Sequence, residues 1–316
     1  MLIDYAAFYR RSIRVQAIGV ELPRFDLFLS AFNSSERVQQ VFANVRAGRK
    51  LWLVHPEYQY GAAELPNSET IVSPTSLDER HQVGALLDAA GDLTEVNLCI
   101  DITGFMRHTL LFLVAKLGSL GLSRFTALYS EPDSYAKQED TTFSTTTTGL
   151  VRPVFGMRGS DFTSGKDFLL VLVGYDHKLI GQVADSKDSA EVIPIFGFPS
   201  LSPDMYQQSA TRTSASGGAS QEDGWVTNRR FAPANDPFST ASIISQIIGE
   251  IDREAPDSNI YIAPLSTKVQ ALGAAVYWQL EARTRRGVSL LMPECSTYTR
   301  ETSKGLKRLW SVEVEL

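Results

Sequence analysis

The stretch Val96-Asn97-Leu98-Cys99-Ile100-Asp101-Ile102-Thr103-Gly104-Phe105-Met106-Arg107 sets the reading of the whole chain. Its first half is a short apolar run of the kind that forms a buried strand. Its second half breaks that pattern, and residues 109–117 resume with helical apolar spacing. The same order returns later in Asn259-Ile260-Tyr261-Ile262-Ala263, the turn Pro264-Leu265-Ser266-Thr267-Lys268 and a helical pattern over 269–282. Each helix is followed by another apolar strand, 125–129 and 288–292. Each of those strands runs into a glutamate with a tyrosine four residues on, Glu131 with Tyr135 and Glu294 with Tyr298.

Working outward, strands alternating with helices predict right-handed crossovers and parallel sheets. The expected fold is therefore α/β, with two tandem Rossmann-like units, mostly parallel sheets and internal pseudo-duplication. The first unit is set at 50–165, opening with the apolar strand 50–54 and continuing through a Ser76/Glu79 capping-box signal into a helix over 77–90. The second is set at 166–316, opening with Phe168-Leu169-Leu170-Val171-Leu172-Val173-Gly174. Residues 1–49 read as an N-terminal arm with two helical patterns, one of them over 35–45. Residues 138–149 are threonine-rich and suit a hairpin as well as a loop. Residues 207–224, rich in Ser, Thr and Gly and poor in apolar side chains, read as a mobile insertion. Asn235-Asp236-Pro237 then punctuates the start of a helix over 240–252, with Ile243, Ile244, Ile247, Ile248 and Ile251 on one face.

A chain of 316 residues has room for two such units. With 43% hydrophobic and 21% charged residues its composition is that of a globular protein. The net charge of −6 argues against a surface built for nucleic-acid backbones, so direct DNA binding is not expected. Two cysteines, Cys99 and Cys295, make neither a disulfide framework nor a zinc pattern, and Cys99 reads as small apolar filler. Neither a signal peptide nor a membrane-length apolar run is present, which points to the cytoplasm. Four scattered histidines share no ligand spacing, so no metal is expected, and no Walker, nucleophile-elbow or Gly-x-Gly-x-x-Gly motif calls for a cofactor.

In parallel sheets, ligands collect where strand ends feed helix N-termini. Both repeated turns sit there. Thr103 and Ser266 or Thr267 offer hydroxyls, Gly104 lets backbone approach a ligand, and Arg107 and Lys268 supply positive charge. The alternative makes Thr103 and Ser266 plain helix caps and Arg107 a solvated side chain. A cation in the first turn opposes the helix dipole, however, and both copies carry one. Glu131 and Glu294, matched in the two halves, are candidates for ribose or base contacts. The two turns are expected to face one shared ligand.

The segment Asp101-Ile102-Thr103-Gly104-Phe105-Met106-Arg107 resembles the strand-end signature of the CARF superfamily. There an acidic or amide residue, a hydroxyl residue two on and a cation four further on lead into a helix. The related SAVED domain resembles two such units in one chain, and the likeness here spans roughly 50–316. It implies a sensor of nucleotides, such as cyclic oligonucleotides, in prokaryotic antiviral defence, with Asp101, Thr103, Gly104 and Arg107 in the binding role. The second turn departs from the signature, since Pro264 stands where the acidic residue would be. With no effector domain after Tyr298, output would pass through a partner protein or a homo-oligomer. Two rivals remain at this point: a metal-independent phosphodiesterase of the ring-nuclease kind, its catalytic residues unassigned, or a structural subunit with a vestigial pocket.

Overall fold

The computed structural model describes residues 3–66, 70–135, 144–163, 165–202, 205–215, 224–300 and 303–316. The chain divides into two compact units. The first comprises Phe8–Thr146 with Cys295–Leu316, and the second Met1–Ala7 with Thr147–Glu294.

The first unit contains β1 (Arg10–Ile13), α1 (Ile18–Glu21), β2 (Phe25–Ala31), α2 (Glu36–Asn44), β3 (Ala47–Leu53), β4 (Ile71–Val72), α3 (Glu79–Ala90), β5 (Leu98–Asp101), α4 (Arg107–Ser119), β6 (Arg124–Glu131) and β7 (Ser134–Tyr135). The chain then runs through β8 (Ser144–Pro153) into the second unit's β9 (Asp167–Val173), α5 (His177–Ser186), β10 (Glu191–Gly197), α6 (Met205–Ala215), α7 (Gly224–Thr227), β11 (Arg230–Ala232), α8 (Pro237–Glu254), β12 (Asn259–Pro264) and α9 (Lys268–Leu280). It returns through β13 (Val288–Tyr298) to β14 (Ser303–Lys304), which pairs with β7, and β15 (Arg308–Glu315).

The sheet of the first unit has the order β1-β15-β6-β5-β2-β3-β4, with β2 to β6 parallel and β15 and β1 added antiparallel at one side. The second unit has the order β11-β10-β9-β12-β13-β8, with β9 to β13 parallel. Counted along the chain, the five parallel strands of either sheet stand in the order 3-2-1-4-5. Each unit therefore starts at the centre, winds outward, then returns and winds the other way. This is the doubly wound order, and it creates a switch point between β2 and β5 in one unit and between β9 and β12 in the other. The α/β class with two mostly parallel sheets expected from the sequence is present.

Two expectations about boundaries change. Residues 1–49 are not an arm, because Phe25–Ala31 is the strand β2 at the switch point itself. Ile13, Ile18, Leu22, Phe25 and Phe28 share one buried cluster with Cys99, Leu128 and Leu309, so this segment supplies core to β5, β6 and β15. At about 1.5–3 kcal/mol for each large buried side chain, the first unit would not hold without it. The counterpart of β9 is thus β2, and the strand expected to open the first unit is second in winding order. The C-terminal strand β15 likewise belongs to the first unit, paired along β6 from Arg308↔Glu131 to Glu315↔Arg124.

The insertion expected over 207–224 begins as helix α6, and residues 216–223 lie outside the described residues. Helix α3 starts at Glu79 rather than 77. Asp78 is its cap and the Ser76 hydroxyl accepts the Asp78 N–H. Of the threonine-rich segment, residues from 144 onward form β8, while 136–143 lie outside the described residues. Helix α8 starts at Pro237 rather than 240, is capped by Asp236, and buries Ile244, Ile247, Ile248 and Ile251. Among the described residues, no helix is long and apolar enough to cross a membrane.

Both switch points are closed by a glycine. A Cβ on Gly104, after β5, would lie 2.1 Å from the Ala31 carbonyl oxygen after β2. A Cβ on Gly174, after β9, would lie 2.2 Å from the Leu265 carbonyl oxygen after β12. Only glycine lets the two chains pass so closely.

Candidate functional site

At the first switch point, the turn after β5 is held from inside. Ser30 and Asp101 are neighbours across the β2/β5 ladder. The fully buried Asp101 carboxylate accepts the Ser30 hydroxyl at 3.2 Å and the Thr103 N–H at 3.0 Å. Burial raises the Asp101 pKa, and these hydrogen bonds together with the charge of Arg37 offset part of that rise. Thr103, nearly buried, accepts the Ser130 N–H at 2.9 Å through its hydroxyl, tying the turn to the end of β6. Asp101, Thr103 and Gly104 thus shape the turn, and the Gly104 Cβ position is taken up by Ala31 rather than left open toward a ligand.

The groups that face outward from this frame are cationic. Arg107 is the first residue of α4 and donates to the Tyr298 hydroxyl at 3.3 Å. Arg37, in the first turn of α2, donates to the Ser130 carbonyl. Both guanidinium groups act on one buried phenol: burial pushes the Tyr129 pKa up, while the charge and hydrogen bond of Arg37 and the charge of Arg107 pull it back. The Nε of Arg37 and the fully buried Ser130 hydroxyl have no hydrogen-bond partner among the described residues. Buried polar groups left in this way are rare and costly, and Gln182 Oε1 and Gln270 Oε1 of the second unit are in the same state.

The helix ends agree. Helices α3, α5, α8 and α9 are closed by the side chains of Asp78, Asp176, Asp236 and Thr267. Helices α2 and α4, which flank the first switch point, have N-caps Ser35 and Met106 that make no side-chain capping bond. Each end nonetheless has a carboxylate near it, Glu36 in the first turn of α2 and Glu57 3.2 Å from His108 in the first turn of α4, so the contrast with the other helices lies in the cap side chain alone.

Beside the turn after β5 stands an aromatic cluster, with the Tyr58 hydroxyl 3.5 Å from the Gly104 carbonyl oxygen. Tyr58 meets Tyr298 edge-on at 5.9 Å and lies 5.7 Å from Tyr60. Arg300 lies 4.5 Å over the Tyr60 ring and donates to the Tyr58 carbonyl at 2.7 Å and to Glu64 at 2.6 Å. These bonds fasten the returning segment to the loop after β3.

Behind α4 runs a buried polar chain. His55 accepts the Met106 N–H at 3.1 Å through Nε2, and its Nδ1 lies 2.6 Å from Gln82 Oε1. The Gln82 amide donates to Glu57 at 3.2 Å, and His108 Nε2 lies 3.2 Å from the same carboxylate. Burial pushes the Glu57 carboxyl up, but the His108 hydrogen bond and the neighbouring imidazoles bring it to a net position below the usual range.

The second turn is built differently. Thr267 caps α9, accepting the Gln270 N–H at 3.2 Å and donating to the Ala234 carbonyl at 2.7 Å. Ser266 is buried, and Lys268 is the first residue of α9, matching Arg107 on α4. The match to Arg37 is Lys178, second residue of α5, but that helix already carries the Asp176 carboxylate at its cap. The glutamates are committed as well. Glu131 is buried, accepting Trp310 Nε1 at 3.0 Å with Lys307 3.5 Å away, and Glu294 pairs with Arg152 at 2.5 Å.

Arg37, Ser130 and Tyr129 were not singled out in the sequence. The legible signal for Arg37 was its place one residue inside a helix that follows an apolar strand, the same position Lys178 takes after β9. Comparison of the chain with models of known protein families and with curated proteins gave no match.

Proposed function

We propose that the chain is a nucleotide-sensing or regulatory subunit whose first unit grips a phosphate between Arg37 and Arg107. One observation carries the reading. Two guanidinium groups, from two helix N-termini without side-chain caps, flank a doubly wound switch point beside a buried hydroxyl in need of a partner. Phosphate oxygens suit guanidinium geometry and can accept from the Ser130 hydroxyl. The tyrosines beside the turn offer an aromatic edge for a base. Asp101, Thr103 and Gly104 serve by holding the turn.

The CARF-like signature adds the ligand class, a cyclic oligonucleotide of prokaryotic antiviral signalling, with output through a partner protein or self-assembly. The test is a thermal-shift and calorimetric panel of linear and cyclic oligonucleotides, followed by chromatography of the recovered ligand. A bound ligand at a hundredfold excess over Kd should stabilise the protein by about 2.7 kcal/mol and be recovered intact. No stabilisation by any member refutes the sensor, and steady conversion of the ligand turns the reading to an enzyme.

A further inference from the structure

The buried chain behind α4 has only one consistent arrangement of protons. Met106 N–H is a backbone donor, so His55 Nε2 must accept and its proton must sit on Nδ1. Nδ1–H then donates to Gln82 Oε1, which turns the Gln82 amide group toward Glu57. Glu57 receives that amide, and because its pKa is held below the usual range it is a carboxylate, with Nε2 of His108 as its donor. His55, Glu57 and Gln82 are all fully buried, while His108 is partly exposed. Protons can be exchanged with solvent only at the His108 end.

We propose that His108 is a positioning residue that couples proton uptake to anion binding at the α4 N-terminus, an inference that rests on the anion site proposed above. His108 is the second residue of α4, directly after Arg107, and Met106 at the other end of the chain is the N-cap of the same helix. When His108 is neutral, the buried Glu57 charge faces the helix end with only hydrogen bonds against it. When His108 is protonated, that charge is balanced and the first turn of α4 gains a second cation. An anion at that turn favours the protonated form, and by reciprocity protonation favours the anion. The other ionisable groups of the packed elements are Arg107 beside it, His55 and Tyr58 in the loop after β3, and Glu79, Arg80, His81 and Asp88 on α3. Of these, His55 accepts the Met106 N–H through Nε2.

Sulfate is the probe, because it remains a dianion across the range where imidazole titrates. Its affinity for the full chain is measured calorimetrically at about pH 5.5 and about pH 8, in buffers of differing ionisation enthalpy. Binding is expected to tighten on the order of fivefold or more at the lower pH, with net proton uptake near the midpoint. His108→Gln should remove the pH dependence while keeping binding at the upper pH. If that variant fails to fold, the proton count on the wild-type chain and the His108 imidazole titration by NMR, with and without sulfate, decide alone. Equal affinity at both pH values, no proton uptake, or an unchanged slope in His108→Gln overturns the coupling and leaves the anion site standing. Absence of sulfate binding at either pH removes the site, and the coupling with it.

Discussion

At the scale of single residues, Arg37 and Arg107 share one feature, the buried Tyr129 phenol, whose pKa the charge of each pulls down against burial. Either Arg37→Ala or Arg107→Ala should weaken phosphate-ligand binding by about 1.5–3 kcal/mol, the worth of a hydrogen bond to a charged group, as read by calorimetry. The melting temperature should fall more for Arg37→Ala, whose Nε is buried and whose guanidinium holds the Ser130 carbonyl, than for Arg107→Ala. Asp101 behaves in the opposite way. Burial raises its pKa, so the folded chain holds that proton more tightly than the unfolded one. Its contribution is complete below the ordinary carboxylate range of about 4 and is lost as pH rises through the folded value. Asp101→Asn, uncharged and of the same shape, should flatten that loss. Relative to the wild type, its melting temperature should gain between about pH 5 and pH 8 and not below pH 4. The sequence made Arg107 legible, because a cation in a first helical turn is out of place. It did not make the inward turn of Asp101 and Thr103 legible. Which way these side chains face depends on Ser30, 71 positions from Asp101 and paired with it across β2 and β5, and on Ser130, 27 positions from Thr103, whose hydroxyl accepts the Ser130 N–H.

At the scale of elements, the two switch-point glycines make the sharpest demand. Gly104→Ala and Gly174→Ala would each drive a methyl group into a backbone carbonyl oxygen of the adjoining strand end. Each should cost at least the 1–3 kcal/mol typical of overpacking, measured by denaturant unfolding, because a backbone cannot swing aside as a side chain can. Glycines placed in open space, such as Gly84 and Gly249, should tolerate alanine with little change. The strands β5, β9 and β12 were legible as runs buried on both faces, and α8 by its isoleucine stripe and Asp236-Pro237 start. Strand β2 was not. Asp26 interrupts its apolar run, and the tyrosines before it happen to recur at helical spacing, although β1 there is extended. Missing that strand hid the helix behind it as a site element, and Arg37 with it.

At the scale of the whole molecule, one winding order is used twice, with matched cations at matched helix positions: Arg37 and Arg107 in the first unit, Lys178 and Lys268 in the second. Internal duplication was legible because strand, turn and helix recur in the same order. The difference between the copies was not legible, because it resides in how helix ends are capped. The second unit closes α5 and α9 with Asp176 and Thr267, whereas the first leaves α2 and α4 without side-chain caps. The account therefore places the anion grip in the first unit. The most direct measurement is calorimetric titration of one phosphate ligand into the wild-type chain, Arg37→Ala/Arg107→Ala and Lys178→Ala/Lys268→Ala. The expected result is loss of binding in the arginine pair and near-normal affinity in the lysine pair. Full affinity in a folded arginine pair, or loss confined to the lysine pair, would contradict the account.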